Sequence, residues 1–85
     1  MLNIGDFSKL SISEKAIYAL KNGDEILTRR YFDYLIKLYA MDGYFAEIWY
    51  IPSANKIQKV EVIDNSAAII EDYADNIDIS KAINN

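Results

Sequence analysis

The alternation of apolar and polar positions first indicates one short helix. Apolar residues recur at helical spacing over residues 12–20. Ser11 precedes this stretch and Glu14 follows three positions later, which is the spacing of a capping box. Gly23 then provides a stop signal. The pattern predicts a helix of about three turns, preceded by an irregular arm over residues 1–10.

A strand pattern replaces the helical one further along the chain. Residues 32–41 are rich in the aromatic and β-branched residues that favour a pleated strand. Asp42-Gly43 follows and favours a two-residue type I′ hairpin, in which both residues need a positive φ. Two more strands are predicted over 44–51 and 56–63, joined by a turn at 52–55 that Pro52 favours.

The segment 24–31 leaves two interpretations open. Leu27, Tyr31 and Leu35 fit a helical stripe that Asp24 would cap. The rising content of β-branched and aromatic residues instead favours an irregular or bulged entry into the first strand. The pattern alone does not decide between strand and helix here.

A second helix is predicted after the strands, over about residues 66–76. Ile69, Ile70 and Tyr73 give it an apolar stripe, with Asp64 or Asn65 as its N-cap. Residues 78–85 are expected to fray. The predicted fold is a single α+β domain spanning 1–85. Its order is helix, three-stranded antiparallel β-meander and helix, with one layer of sheet and both helices on one face.

The predicted hairpin sets the register, with Tyr39 opposite Ala46 and Lys37 opposite Ile48. The next turn would place position 47 opposite position 60. One face of the sheet is then mainly apolar and should be covered by the helices. Glu47 lies on that face without an identified partner.

The other face is expected to remain open, because two short helices cannot cover both sides of the sheet. An exposed apolar and aromatic patch is typical of a partner surface. The alternative is that the arm over residues 1–10 folds over it. The candidate interaction residues on this face are Lys37, Tyr39, Tyr44, Ile48, Tyr50, Lys59 and Glu61.

Composition removes several classes of chemistry. The chain has 85 residues, and neither Cys nor His is present. Zinc fingers, thiol nucleophiles and imidazole bases are therefore excluded. Glu47 and Glu61 fall on opposite faces in the predicted register, so they cannot share acid–base work. We expect no enzyme, no catalytic residue, no metal site and no cofactor.

The charge is unevenly distributed. The formal net charge is -4, and it arises wholly within residues 64–85. Such a segment repels phosphate backbones, but it would suit a basic protein partner. Helix, three strands and helix is also the topology of the double-stranded RNA-binding domain. That family needs a basic start to its last helix, whereas this chain has Asp64 and acidic residues after it, so nucleic-acid binding is disfavoured.

A closer resemblance concerns the meander. The segments are Tyr34-x-Ile36-x-Leu38-Tyr39, Gly43-Tyr44-Phe45-x-Glu47-Ile48-Trp49-Tyr50 and Lys56-Ile57-x-Lys59-Val60-Glu61. Together with Ala19-Leu20-Lys21 before them, they resemble a group of small bacterial proteins with no assigned activity. The resemblance covers roughly residues 16 to 64. It implies a fold and no site residues.

The sequence therefore favours a small interaction module over an enzyme. The main hypothesis is a homodimer, or a complex with an unidentified protein partner, formed through the uncovered sheet face. Pairing between edge strands, with the first and third predicted strands as edges, is a second route to a dimer. Docking of a basic partner on the acidic last helix is the alternative. Without a signal peptide or a long apolar run, the expected location is the cytoplasm, away from membranes.

Overall fold

The computed structural model describes residues 1–64 together with Ile69 and Tyr73. The protein is α+β, and its strands form one antiparallel sheet in the order β1-β2-β3-β4. The elements are α1 (Ile4–Ser8), α2 (Ile12–Asn22), β1 (Asp24–Tyr31), β2 (Tyr34–Ala40), β3 (Phe45–Ile51), a 3-10 turn (Pro52–Ala54) and β4 (Lys56–Ile63).

The predicted first helix is confirmed as α2. The Ser11 side chain accepts a hydrogen bond from the Glu14 N–H at 3.1 Å, and the Glu14 carboxylate accepts one from the Ser11 N–H at 2.9 Å. Gly23 ends the helix where the chain passes close to the sheet. A Cβ on Gly23 would lie 2.7 Å from the Met41 sulfur and 2.9 Å from the Ala19 carbonyl oxygen. The glycine therefore lets helix and sheet approach each other.

The arm before α2 is more ordered than the sequence predicted. Residues 4–8 form the short helix α1, and the Asn3 side chain caps it by accepting a 2.8 Å hydrogen bond from the Asp6 N–H. Phe7 is fully buried. The prediction of an irregular arm is wrong for this stretch, because a local cap and one buried aromatic ring fix it in place.

Residues 24–31 form a strand, so the sheet has four strands and the prediction of a three-stranded meander is wrong. β1 pairs with β2 from Asp24 opposite Ala40 to Tyr31 opposite Tyr34, with an irregularity between Glu25 and Leu27. The alternation of apolar and polar residues in β1 is weak because β1 is an edge strand with one bulge and buries few of its side chains. The sheet edges are β1 and β4, and the strand predicted as the first edge lies inside the sheet.

The β2–β3 register is confirmed, with Tyr39 opposite Ala46 and Lys37 opposite Ile48. The turn type is different. Gly43 has a φ of 82°, whereas Asp42 is absent from the residues with positive φ. A type I′ turn needs positive φ at both positions, so that part of the prediction is wrong.

The β3–β4 register shifts part-way along. The predicted pair of Ile51 and Lys56 forms, but an irregularity between Trp49 and Tyr50 changes the pairing beyond it. Glu47 then lies opposite Glu61, where position 60 was predicted. A one-residue shift moves side chains to the other face of a sheet. Lys59 and Glu61 therefore share the face of Glu47.

Different parts of the chain pack on the two faces of the sheet. We call them the Tyr39 face, with Ala46, Ile48 and Val60, and the Glu47 face, with Leu38 and Phe45. Buried residues of the arm and of α2 pack on the Tyr39 face. Ile69 and Tyr73, both helical, pack on the Glu47 face.

The prediction that both helices lie on one face is thus wrong for the described residues. The sequence could not assign each helix to a face, because this choice depends on long-range packing. The rest of the predicted second helix over about 66–76, the tail over 78–85 and the acidic docking surface lie outside the described residues.

Candidate functional site

The predicted open face is partly covered, which corrects the main expectation. Phe7, Ala16 and Ala19 form one buried cluster with Tyr39 and Tyr44. The small side chains of α2 allow its backbone to lie close to the sheet. The alternative in which the arm folds over this face is therefore realised in part, by Phe7 of the arm together with α2.

Tyr44 is part of this covered half and not of an open surface. Its ring lies 5.5 Å from that of Phe7, and its hydroxyl donates a 2.8 Å hydrogen bond to the Leu2 carbonyl oxygen. Burial raises the pKa of Tyr44, and the neighbouring Tyr18 and Asp42 raise it further. Tyr44 thus anchors the arm.

The other half of the Tyr39 face forms a concave apolar site, which we call the groove. It has a volume of about 240 Å³ and an apolar lining with one cation. Four predicted interaction residues meet there, while Leu20 enters from the end of α2. The lining residues are Leu20, Leu35, Lys37, Tyr39, Ile48, Tyr50 and Ile57.

Polar contacts fix the rim of the groove. The Lys37 Nζ lies 3.4 Å from the Glu25 carboxylate, and both side chains remain nearly half exposed. The Tyr39 hydroxyl donates a 3.2 Å hydrogen bond to the same carboxylate. Burial raises the pKa of Tyr39 to about 12, and the hydrogen bond and charge of Glu25 act in the same direction. The Tyr39 hydroxyl therefore keeps its proton and holds the Glu25 carboxylate in place at the rim of the groove.

Lys59 and Glu61 do not join the groove, because the β3–β4 irregularity turns them to the Glu47 face. The Lys59 Nζ lies 2.9 Å from the Glu61 carboxylate. The same ammonium lies 4.1 Å from the centre of the Trp49 ring, in a cation–π contact. These two members of the predicted interaction set are therefore wrong as parts of that surface.

The Glu47 face contains a buried polar cluster that the sequence did not reveal. Glu47 is only 3% exposed. Its carboxylate accepts hydrogen bonds from the Tyr73 hydroxyl at 2.8 Å, the Trp49 indole N–H at 3.3 Å and the Arg29 guanidinium at 3.4 Å. These are the partners that the sequence left unidentified.

Aromatic rings enclose the Arg29 guanidinium in this cluster. Its central carbon lies 5.3 Å from the Trp49 ring centre and 5.1 Å from that of Tyr73. Burial raises the pKa of Tyr73, and the hydrogen bond to Glu47 raises it further. The phenol therefore remains a hydrogen-bond donor. Through the Glu47 carboxylate, the cluster links β1, β3 and the helical residue Tyr73 by hydrogen bonds.

A second feature missed by sequence reasoning is the turn between β1 and β2, which we call the tip (residues 32 and 33). Phe32 is 85% exposed and has a φ of 52°. This conformation costs an L-residue roughly 1–2 kcal/mol, and it is an outlier for a bulky side chain. The only signal in the sequence was the aromatic run itself, which reads equally well as strand.

Within the described residues, the structure offers no group of three or more His, Cys, Asp or Glu side chains able to hold a metal ion. No helix in that part of the chain has the length and apolarity to cross a membrane. Comparisons with protein-family models, curated proteins and solved structures found no match. The resemblance to small bacterial proteins stays a prediction.

Proposed function

We propose that this protein is a non-enzymatic interaction module that self-associates through the groove. The observation that supports this most is the concave apolar surface on the uncovered half of the Tyr39 face. Tyr50 and Ile57 supply an aromatic and an aliphatic wall, and Lys37 supplies the cation. Aromatic residues and a largely apolar centre are enriched where proteins meet.

A protruding apolar side chain borders the same concave surface. Leu20, near the end of α2, lines the groove and is 57% exposed. A two-fold contact brings the same patch of both copies together, so one patch must offer protruding and receding parts. This patch has both, which supports a second copy as the partner.

Light scattering after size exclusion tests the proposal. At about 100 μM, a complex with a micromolar dissociation constant is mostly formed, so we expect the mass of a dimer. Leu20→Gln should weaken association because it places an amide at the groove. Ile12→Gln is the matched control, since Ile12 is 46% exposed on the same helix and does not line the groove.

Circular dichroism should be the same for both variants, because both side chains are exposed. A wild-type protein that remains monomeric at this concentration would contradict the proposal. So would equal weakening by the two substitutions, since that would indicate a general response of α2 and not a role of the groove.

A further inference from the structure

We propose that the β1 edge of the sheet pairs antiparallel with the β1 edge of a second copy, so that the two sheets join into one. This contact is separate from the groove, because β1 contributes no residue to the groove lining. β1 is the first strand in the sheet order, and within the described residues no other strand pairs with its outer side. An edge of this kind presents backbone N–H and C=O groups that another strand can bind.

The two edges of the sheet differ in how well they are protected against such pairing. Each edge strand contains one irregularity, so this feature does not separate them. β4 carries Lys56 and Lys59, and lysine is a common means by which an edge strand avoids pairing. The eight residues of β1 include neither Lys nor Pro. They do include two exposed large apolar side chains, Ile26 at 47% and Tyr31 at 49%. β1 is therefore the edge that is open to a further strand.

The charges along β1 favour a second copy as the partner and an antiparallel direction. The strand begins with Asp24 and Glu25 and has Arg29 and Arg30 near its end. In an antiparallel pair the start of one strand lies beside the end of the other. Both ends of a contact between two β1 strands then join opposite charges. A parallel pair would place like charges side by side, which is costly.

Two of these four charges are available for the contact. Glu25 and Arg29 are engaged in ion pairs inside their own chain. Asp24 and Arg30 are exposed, and within the described part of the chain neither forms an ion pair. A second copy therefore supplies each of them with an opposite charge.

A contact along one strand is small and should be weak. Eight residues of antiparallel strand span about 27 Å, and interfaces below about 1,200 Å² belong to weak or transient complexes. We expect a dissociation constant of about 1 mM or somewhat below. The β1 contact should therefore add to the groove dimer only at high protein concentration, where it carries the assembly beyond a dimer.

Exchange of charges between two chains tests this contact. Every chain carries Leu20→Gln to weaken the groove contact, and light scattering is measured at about 1 mM protein in low salt, where charges are least screened. The Leu20→Gln chain alone should form a dimer. Adding Asp24→Lys or Arg30→Glu should raise the dissociation constant at least tenfold, because each homodimer then has like charges at both ends of the contact.

A 1:1 mixture of the two charge variants should regain the dimer. In the mixed dimer the two introduced charges face each other, and the remaining Asp24 faces the remaining Arg30. Lys56→Glu and Asp64→Lys are the matched controls, because they reverse exposed charges at the start of β4 and just after its end. Neither control should weaken association.

A lysine placed on the β1 edge should also prevent pairing. Ile26→Lys gives β1 the protection that β4 has and should raise the dissociation constant at least tenfold. The circular dichroism of the dilute chain should not change, because Ile26 is exposed. Ile12→Lys is the control, since Ile12 is 46% exposed on α2 and lies away from the edge.

The outcomes separate this inference from the groove proposal. A Leu20→Gln chain that is monomeric at about 1 mM, or a mixture that does not regain the dimer, would overturn the β1 contact and leave the groove proposal untouched. Wild-type association at about 100 μM that ignores Leu20→Gln, together with recovery in the mixture, would overturn the groove proposal and support the β1 contact. Weakening by the β4 controls in place of the β1 variants would move the contact to the other edge and overturn the inference.

Discussion

The two faces of the sheet are buried by different means. On the Tyr39 face, Phe7, Ala16 and Ala19 pack against apolar and aromatic side chains, and the polar groups stay at the rim. On the Glu47 face, a buried carboxylate receives three donors, including the Tyr73 hydroxyl. Packing on the Tyr39 face depends on the apolar area that is buried and on the close approach of α2 to the sheet. Packing on the Glu47 face depends on matched hydrogen-bonding partners.

This difference explains why one face can stay half open. Burial of apolar surface is not directional and scales roughly with area, so α2 can cover part of a face and leave a groove beside it. A buried carboxylate must keep its partners, because an unpaired buried charge is strongly destabilising. Binding is therefore expected at the apolar Tyr39 face, while the polar cluster holds Tyr73 against the Glu47 face of the sheet.

The largest predicted effect comes from Glu47→Ala. It leaves the Arg29 guanidinium and the Tyr73 hydroxyl without their shared acceptor. Removing one partner of a buried pair costs about 3–5 kcal/mol of unfolding free energy. Glu61→Ala is the control, because Glu61 lies opposite Glu47 on the next strand, is nearly half exposed and contacts Lys59. An exposed pair contributes about 0–1 kcal/mol.

Urea denaturation followed by circular dichroism measures both values. If Glu47→Ala is no more destabilising than Glu61→Ala, the polar cluster does not hold the Glu47 face together. The contrast between the two faces would then be wrong.

Gly23→Ala tests the opposite face and should have the next largest effect. The new Cβ would lie 2.7 Å from the Met41 sulfur and 3.2 Å from the Tyr39 Cβ on the sheet, and 2.9 Å from the Ala19 carbonyl oxygen of α2 itself, so the end of the helix must shift away from both. Overpacking of this kind costs about 1–3 kcal/mol. Gly5→Ala is the matched control, since its Cβ would meet only Asn3 Oδ1, at 3.5 Å.

Thermal unfolding of the two glycine variants provides the comparison. Gly5→Ala should be neutral or slightly stabilising, because alanine is the better helix former. Equal melting temperatures for Gly23→Ala and the wild type would show that α2 does not depend on this close approach.

The features predicted correctly from the sequence are those set by nearby residues. The capping box places α2, and the hairpin sets the pairing of Tyr39 with Ala46, because both depend on residues a few positions apart. The strand β1 is recognisable only by its pairing with β2, and its own pattern is weakened by a bulge. The structure brings only four of the seven predicted interaction residues together, and the irregularity at Trp49 and Tyr50 moves Lys59 and Glu61 to the other face. No local sequence pattern predicts such a register shift between strands.

The side-chain contacts that cover each face could not be predicted from the sequence. Arg29 meets Glu47 only because β1 lies at the edge beside β2, and this placement depends on the whole sheet. Phe32 lies in the turn between β1 and β2, where it is 85% exposed and has a φ of 52°. Its residue type alone predicts burial.

The smallest predicted effect concerns the rim of the groove and appears only at alkaline pH. Folding raises the pKa of Tyr39 to about 12, chiefly through burial, whereas an unfolded tyrosine ionises near pH 10. The folded state holds this proton more tightly, so its stabilising contribution is complete below about pH 10 and is lost as the pH rises towards 12. Tyr39→Phe should therefore make the fall in unfolding free energy between pH 10 and 12 shallower. Tyr44 and Tyr73, whose pKa values are also raised, should account for the slope that remains.

Urea titrations at several pH values between 10 and 12 measure this slope, with Tyr31→Phe as the control for removal of an exposed phenol. A Tyr39→Phe slope equal to that of the wild type would show that the Tyr39 hydroxyl is not held at the rim, and would weaken the distinction between a buried half and an open half of this face.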